Sequence, residues 1–110
     1  MSKYTIGDAI RMVGHLLEHN GITGPFFADK KGRSTEANDS ATCRYCAAGA
    51  CKAVAETLGV DHVAVRDTAA TVWGQRSIVL AWELKHQSIN VPSSAGQRKK
   101  LARKLQAYNG

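Results

Sequence analysis

Several features common in proteins are missing from this chain, and each absence removes a class of function. No long apolar run is present. The longest stretch drawn from strongly apolar residues is Ile78-Val79-Leu80-Ala81-Trp82, whereas a membrane span takes about 20 such residues. The N-terminal region carries Lys3, Asp8 and Arg11 and has no signal-peptide apolar core, so the expected location is the cytoplasm, with no membrane partner. Cysteine is sparse and odd in number at 3, which suits a reducing compartment better than a disulfide framework. There is no internal repeat and no low-complexity linker. No glycine-rich phosphate loop follows a strand, and no nucleophile stands with a positioned base. The expectation is a protein that is not an enzyme and uses no cofactor.

What is present describes an ordinary globular chain. Its 110 residues suffice for one domain and not for two with separate cores. Hydrophobic residues make up 44% and charged residues 22%, a balance that excludes a largely disordered chain. The first segment has the clearest helical period. Ile6, Ala9, Ile10, Val13, Leu16 and Leu17 share one arc, and Asp8, Arg11, His15 and Glu18 lie opposite. Thr5 with Asp8 spells an N-terminal capping box, and Asn20-Gly21 supplies a stop with glycine in the left-handed region. Gly24-Pro25 breaks the helix. Phe26-Phe27-Ala28 and Arg33-Ser34-Thr35 then flank Asp29-Lys30-Lys31-Gly32, which predicts a small hairpin with Gly32 at positive φ.

Asn38-Asp39-Ser40 offers caps for a second helix over about residues 41–58, ended by Gly59. Its inner arc holds Cys43, Cys46, Ala47, Ala50, Cys51, Val54 and Leu58, nearly all small, so a neighbour can approach closely. Residues 60–75 suggest a short helix, and 76–86 read as helix in preference to buried strand. Ser88 to Ser94 reads as a loop. Ser94 with Gln97 makes a second capping box for a last helix over residues 95–108. The expected fold is a single compact domain over residues 1–110, mostly α, with four to five helices and a small β-hairpin.

Two motifs invite a metal or redox reading. His15-Leu16-Leu17-Glu18-His19 spells H-x-x-E-H, the inverted zinc-protease pattern, with two histidines on one helical face. A third ligand is wanting, and the two leucines belong to the core stripe. Cys43-Arg44-Tyr45-Cys46, followed by Cys51, resembles a zinc or redox cluster. On a continuous helix Cys43 and Cys51 stand about 12 Å apart, too far for one zinc with bonds of about 2.3 Å. A small metal-binding or thiol-redox protein using Cys43/Cys46 or His15/His19 is therefore the alternative function. The first expectation is three buried, unbridged thiols and a solvated His15/His19 face.

Charge is the most informative pattern. Residues 95–110 hold Arg98, Lys99, Lys100, Arg103 and Lys104 and no acid, while the first 94 residues hold ten bases and nine acids. Nearly the whole excess of +6 therefore sits in one segment. On a helical wheel Lys99, Lys100, Arg103 and Lys104 cover one broad face. Leu101, Leu105 and Tyr108 form the other, with Arg98 near its edge. This is an amphipathic helix that docks by its apolar side and presents cations outward.

Residues 6–58 resemble a family of small uncharacterised bacterial and phage domains. The likeness rests on an opening helix ending in His19-Asn20-Gly21, on the Asp29-to-Gly32 turn, and on Tyr45-Cys46-Ala47-Ala48-Gly49-Ala50, an aromatic–Cys–x–x–Gly–Ala helix start. The family tends to carry Trp-Asn-Asp near its end, where this chain has Trp82-Glu83-Leu84. The resemblance implies a phage or mobile-element origin and no catalytic residue. Taken with the charge pattern, it gives a small intracellular accessory protein that binds nucleic acid or an acidic protein surface. One form of this is a phage-type, anti-CRISPR-like inhibitor of a host nucleic-acid machine.

Overall fold

The computed structural model describes residues 3–22, 27–36, 39–73 and 94–109. Helix α1 (Ile6–Asn20) forms as its period predicts. Thr5 Oγ1 accepts from the Asp8 amide at 3.1 Å, and the Thr5 amide donates to Asp8 Oδ2 at 3.0 Å. Both arms of the capping box are made, so two otherwise orphaned donors are satisfied. The end of α1 differs from expectation. Gly21 is extended (φ −77°, ψ 149°) and not left-handed. The chain leaves α1 straight into a bridge with Tyr45, and the Ile22 amide donates to the Tyr45 carbonyl at 2.9 Å.

The hairpin turn is present. Gly32 has φ +83°, the Asp29 amide donates to the Arg33 carbonyl, and the Thr35 amide to the Phe27 carbonyl, both at 3.0 Å. The main strand partner is unexpected. β1 (Phe27–Ala28) pairs antiparallel with β2 (Arg44–Tyr45), in register Phe27 with Tyr45 and Ala28 with Arg44. The predicted arm over 33–35 contributes one bridge, Ala28 to Ser34.

Helix α2 therefore begins at Ala47 (Ala47–Leu58), not near residue 41. Asp39 does not cap a helix. Its Oδ1 accepts from the Ala41 amide at 2.8 Å and its carbonyl from the Thr42 amide at 3.0 Å, a tight turn built on the aspartate. The Cys43 amide then donates to the Ala28 carbonyl at 2.9 Å, so residues 43–45 spend their backbone bonds on the sheet. The cap falls to Cys46, whose Sγ accepts from the Gly49 amide at 3.4 Å. Gly59 closes α2 in the left-handed region (φ 69°, ψ 33°).

The ambiguous stretch after Gly59 holds helix α3 (His62–Trp73). The expected helix over 76–86 and the loop from Ser88 up to Ser94 lie outside the described residues. Helix α4 (Ala95–Gln106) starts as predicted, with Ser94 Oγ accepting from the Gln97 amide at 3.2 Å. It ends two residues before Tyr108, because the chain turns there and the Tyr108 carbonyl accepts from Arg11 Nη1 at 2.9 Å.

The result is mostly helical: four helices and a two-stranded antiparallel sheet among the described residues, folded as one compact globule. α1 is the central element. It packs most extensively on α4, then on α2, and α3 covers the remaining side. The core joins Ile10, Val13 and Leu17 of α1 to Cys51 and Val54 of α2, Val65 of α3, and Leu101 and Leu105 of α4. Among the described residues, no helix is long and apolar enough to cross a membrane.

Candidate basic interface on the last helix

α4 runs antiparallel to α1, and the residues between them explain both its closeness and its orientation. Leu101, Ala102 and Leu105 are fully buried. Opposite them stands Gly14, where an added Cβ would lie 2.7 Å from both the Ala102 carbonyl oxygen and the Gln106 amide nitrogen. The two backbones meet there because Gly14 has no side chain and Ala102 only a methyl group to hold them apart. Gln106 Nε2 donates to the Glu18 carboxylate and to the Gly14 carbonyl. Its bond holds the Glu18 carboxyl below the usual range, with smaller help from the charges of His19, Arg103 and His15. Further along the pair, Arg98 is half-buried, and its side chain lies against Gly21. That placement fits the expectation that Arg98 works partly in the structure. It also gives Gly21 a packing role in place of the turn role expected of it.

The outward face carries the predicted cations. Lys99, Lys100, Arg103 and Lys104 are all exposed. Neither of the two ion pairs among the described residues, Arg11–Asp8 at 2.9 Å and Arg33–Asp29 at 2.8 Å, involves any of them. One neighbour was not foreseen. Trp73, at the end of α3, sits under Lys104 with Nζ 5.5 Å from the ring centroid. The indole thus borders the cationic face and steadies one of its charges. The only sequence signal for this was a lone tryptophan, whose neighbours depend on how α3 packs on α4.

A second, smaller group of cations surrounds the hairpin turn. Lys30, Lys31 and Arg33 are exposed around a hollow of about 210 Å³ that Asp29 and Cys43 also line. Asp29 is buried, and its carboxylate accepts from the Lys31 and Arg33 amides and from Arg33 Nε. The Arg33 amide contributes most to holding its carboxyl low. The turn is therefore built around an anion that already neutralises one of its cations.

The alternative sites are placed as follows. His15 and His19 are exposed, with rings nearly parallel at 13° and centroids 6.2 Å apart. The Glu18 of the H-x-x-E-H spelling is turned to Gln106 and is not free to serve as a base beside them. Cys43, Cys46 and Cys51 are unbridged, but only Cys51 is buried; Cys43 and Cys46 are half-exposed. The expectation of three inward thiols on one helix is corrected here. Cys43 precedes the helix and lies next to the sheet, so the 12 Å spacing argument no longer applies. Among the described residues no three His, Cys, Asp or Glu side chains gather as metal ligands.

Comparison with protein-family models, with curated proteins and with solved structures finds no match to this chain. The functional reading therefore rests on the site's own chemistry.

Proposed function

We propose that this protein is a non-enzymatic binding protein that engages a polyanion, nucleic acid or an acidic protein surface, through the outer face of α4. One observation carries the reading. Four cations on a helix without acids stand exposed on one face, and the opposite face is fixed to the core by Leu101, Ala102 and Leu105. The direction of the charged face is thus set by packing before any partner arrives. Three of the four are lysines, compact hydrated charges that meet an anion without fixing its orientation, and only Arg103 offers a planar fork. Such a set suits contact with phosphates or carboxylates and poorly suits the reading of base edges. The resemblance of residues 6–58 to phage and bacterial domains favours an accessory role, with inhibition of a host nucleic-acid machine as one form.

The test replaces Lys99, Lys100, Arg103 and Lys104 by glutamine together. Expected are intact folding by circular dichroism and loss of binding to mixed-sequence oligonucleotide or to a host partner recovered by pull-down. If nucleic acid is the target, wild-type affinity falls with salt at a log–log slope of about −2 to −4, for three or four phosphate contacts. A flat salt response with retained capture of an acidic protein selects the protein surface instead. Intact folding with undiminished binding to both would refute the reading and move the interface to Lys30, Lys31 and Arg33.

A further inference from the structure

We propose that His15 and His19 form a chelating site for one late first-row transition-metal ion, copper(II) foremost. The pair sits at i and i+4 on α1, the spacing that brings two side chains together on one face. Both imidazoles are exposed, and no hydrogen bond to either ring is seen among the described residues. The rings are nearly parallel and their centroids lie 6.2 Å apart. With metal–nitrogen bonds of about 2.0–2.1 Å, each centroid stands roughly 3 Å from a shared ion, so two rings on one ion lie at most about 6 Å apart. That limit is reached only with the nitrogens on opposite sides of the ion; neighbouring positions bring the centroids to roughly 4.5–5 Å, an approach that rotation of the two exposed side chains must supply.

The surroundings select the class of ion. The rings line a groove of about 450 Å³ between α1 and α2, whose other walls include Met12, Leu16, Asn20 and Tyr45. Among the described residues no carboxylate lines that groove, so calcium and magnesium, which take oxygen ligands, find no anchor among them. Imidazole nitrogen suits copper, nickel and zinc, and a site of fixed ligands favours copper(II) among the divalent ions. Met12 is 45% exposed and lies one turn before His15, which places a soft thioether beside the imidazoles. The protein supplies two ligands and leaves the other positions open to water or to an incoming donor in the groove.

This proposal does not depend on the polyanion reading, and its test uses the free protein. Nickel(II) is titrated into the wild-type chain by calorimetry. Copper(II) is titrated into a Cys43→Ser/Cys46→Ser variant, so that the two half-exposed thiols neither bind nor reduce it. Expected are one ion per chain, tighter copper than nickel, and no heat with magnesium. His15→Ala or His19→Ala should each weaken binding at least tenfold. Without metal, the double alanine variant should keep its melting temperature within a few degrees, because surface changes of this kind stay within about 0.5 kcal/mol each. In the wild type the ion should raise that temperature, and in the double variant it should not. Binding that survives both histidine substitutions, or that magnesium matches, would overturn the proposal.

Discussion

Gly14 of α1 and Gly96 of α4 both lie inside helices, and the structure assigns opposite signs to the same substitution at each. In α1, Gly14→Ala places a methyl 2.7 Å from the Ala102 carbonyl and from the Gln106 amide of α4. Both are backbone atoms on a packed helix, so no side chain can swing aside. Ordinary contact needs about 3.4 Å or more, so α4 must retreat by roughly 0.7 Å, which forfeits much of the nearby dispersion contact. Alanine gains about 0.8–1.0 kcal/mol of helix propensity, while overpacking costs about 1–3 kcal/mol. With rigid backbone on the far side, the upper half of that range applies, and the net destabilisation is about 1–2 kcal/mol. For a chain of this size that lowers the melting temperature by roughly 4–12 °C. In α4, Gly96→Ala meets only Ser94 Oγ, at 3.9 Å, among the described residues, so the propensity gain is expected to dominate and stability to rise by up to about 1 kcal/mol. Thermal and urea unfolding followed by far-ultraviolet circular dichroism measure both. If Gly14→Ala stabilises the protein as Gly96→Ala does, α1 and α4 do not meet at Gly14, and the fixed direction of the cationic face loses its basis.

Thiol reactivity and acid sensitivity give two further checks. Burial pushes the Cys51 thiol up to about 12, so at pH 8 an aromatic disulfide reagent should modify Cys43 and Cys46 readily and Cys51 only at the rate of unfolding; equal rates for all three would contradict the packing of α2. The Asp29 carboxyl is held low, first by the Arg33 amide, so the unfolded chain binds the extra proton and stability falls as pH drops below the ordinary carboxylate range. That contribution is complete above the range and lost once pH passes below the lowered value. Asp29→Asn should lower stability at neutral pH and flatten this part of the acid limb, and an unchanged pH profile would show that the turn does not depend on the charge.

The parts of the fold that were legible in the sequence are those decided within one turn of helix. The Thr5–Asp8 box and the Ser94 cap each involve residues three apart, and both form. The start of α2 was misread because the deciding partners are remote. Ala28 takes the Cys43 amide and Phe27 pairs with Tyr45, and nothing local distinguishes Asp39 in a tight turn from Asp39 as a cap. Gly21 was misread for a similar reason, since its closest neighbours include Arg98 of α4. The cationic face was legible because charge composition survives any arrangement of the chain. Its setting was not: Trp73 beneath Lys104 and Gln106 on Glu18 exist only once α3 and α1 are packed on α4.

The charges on α4 work against the fold that presents them. Lys99 with Arg103, and Lys100 with Lys104, are like-charged pairs at i and i+4, each unfavourable by about 0.2–0.5 kcal/mol. Arg103 and Lys104, in the last turn, gain from the helix dipole, whereas Lys99 and Lys100 lie beyond the first turn and gain nothing from it. No acid on α4 relieves the repulsion, and the cation–π contact of Lys104 with Trp73 returns about 0.5–1 kcal/mol at most at an exposed site. A helix needed only for packing is served as well by Leu101, Ala102 and Leu105 with neutral or mixed neighbours. Among the described residues Glu18 of α1 relieves Arg103 in part, and the rest of the face fits the proposed anionic partner. The same balance fixes a sign. The variant with four glutamines should match the wild type in stability to within about 1 kcal/mol at low salt. Added salt, which screens exposed charges over about 10 Å at 0.1 M, should raise the stability of the wild type and leave the variant nearly unchanged. A wild type that loses stability on adding salt would mean that these four cations are satisfied within the molecule, and the argument for a polyanionic partner would fall with it.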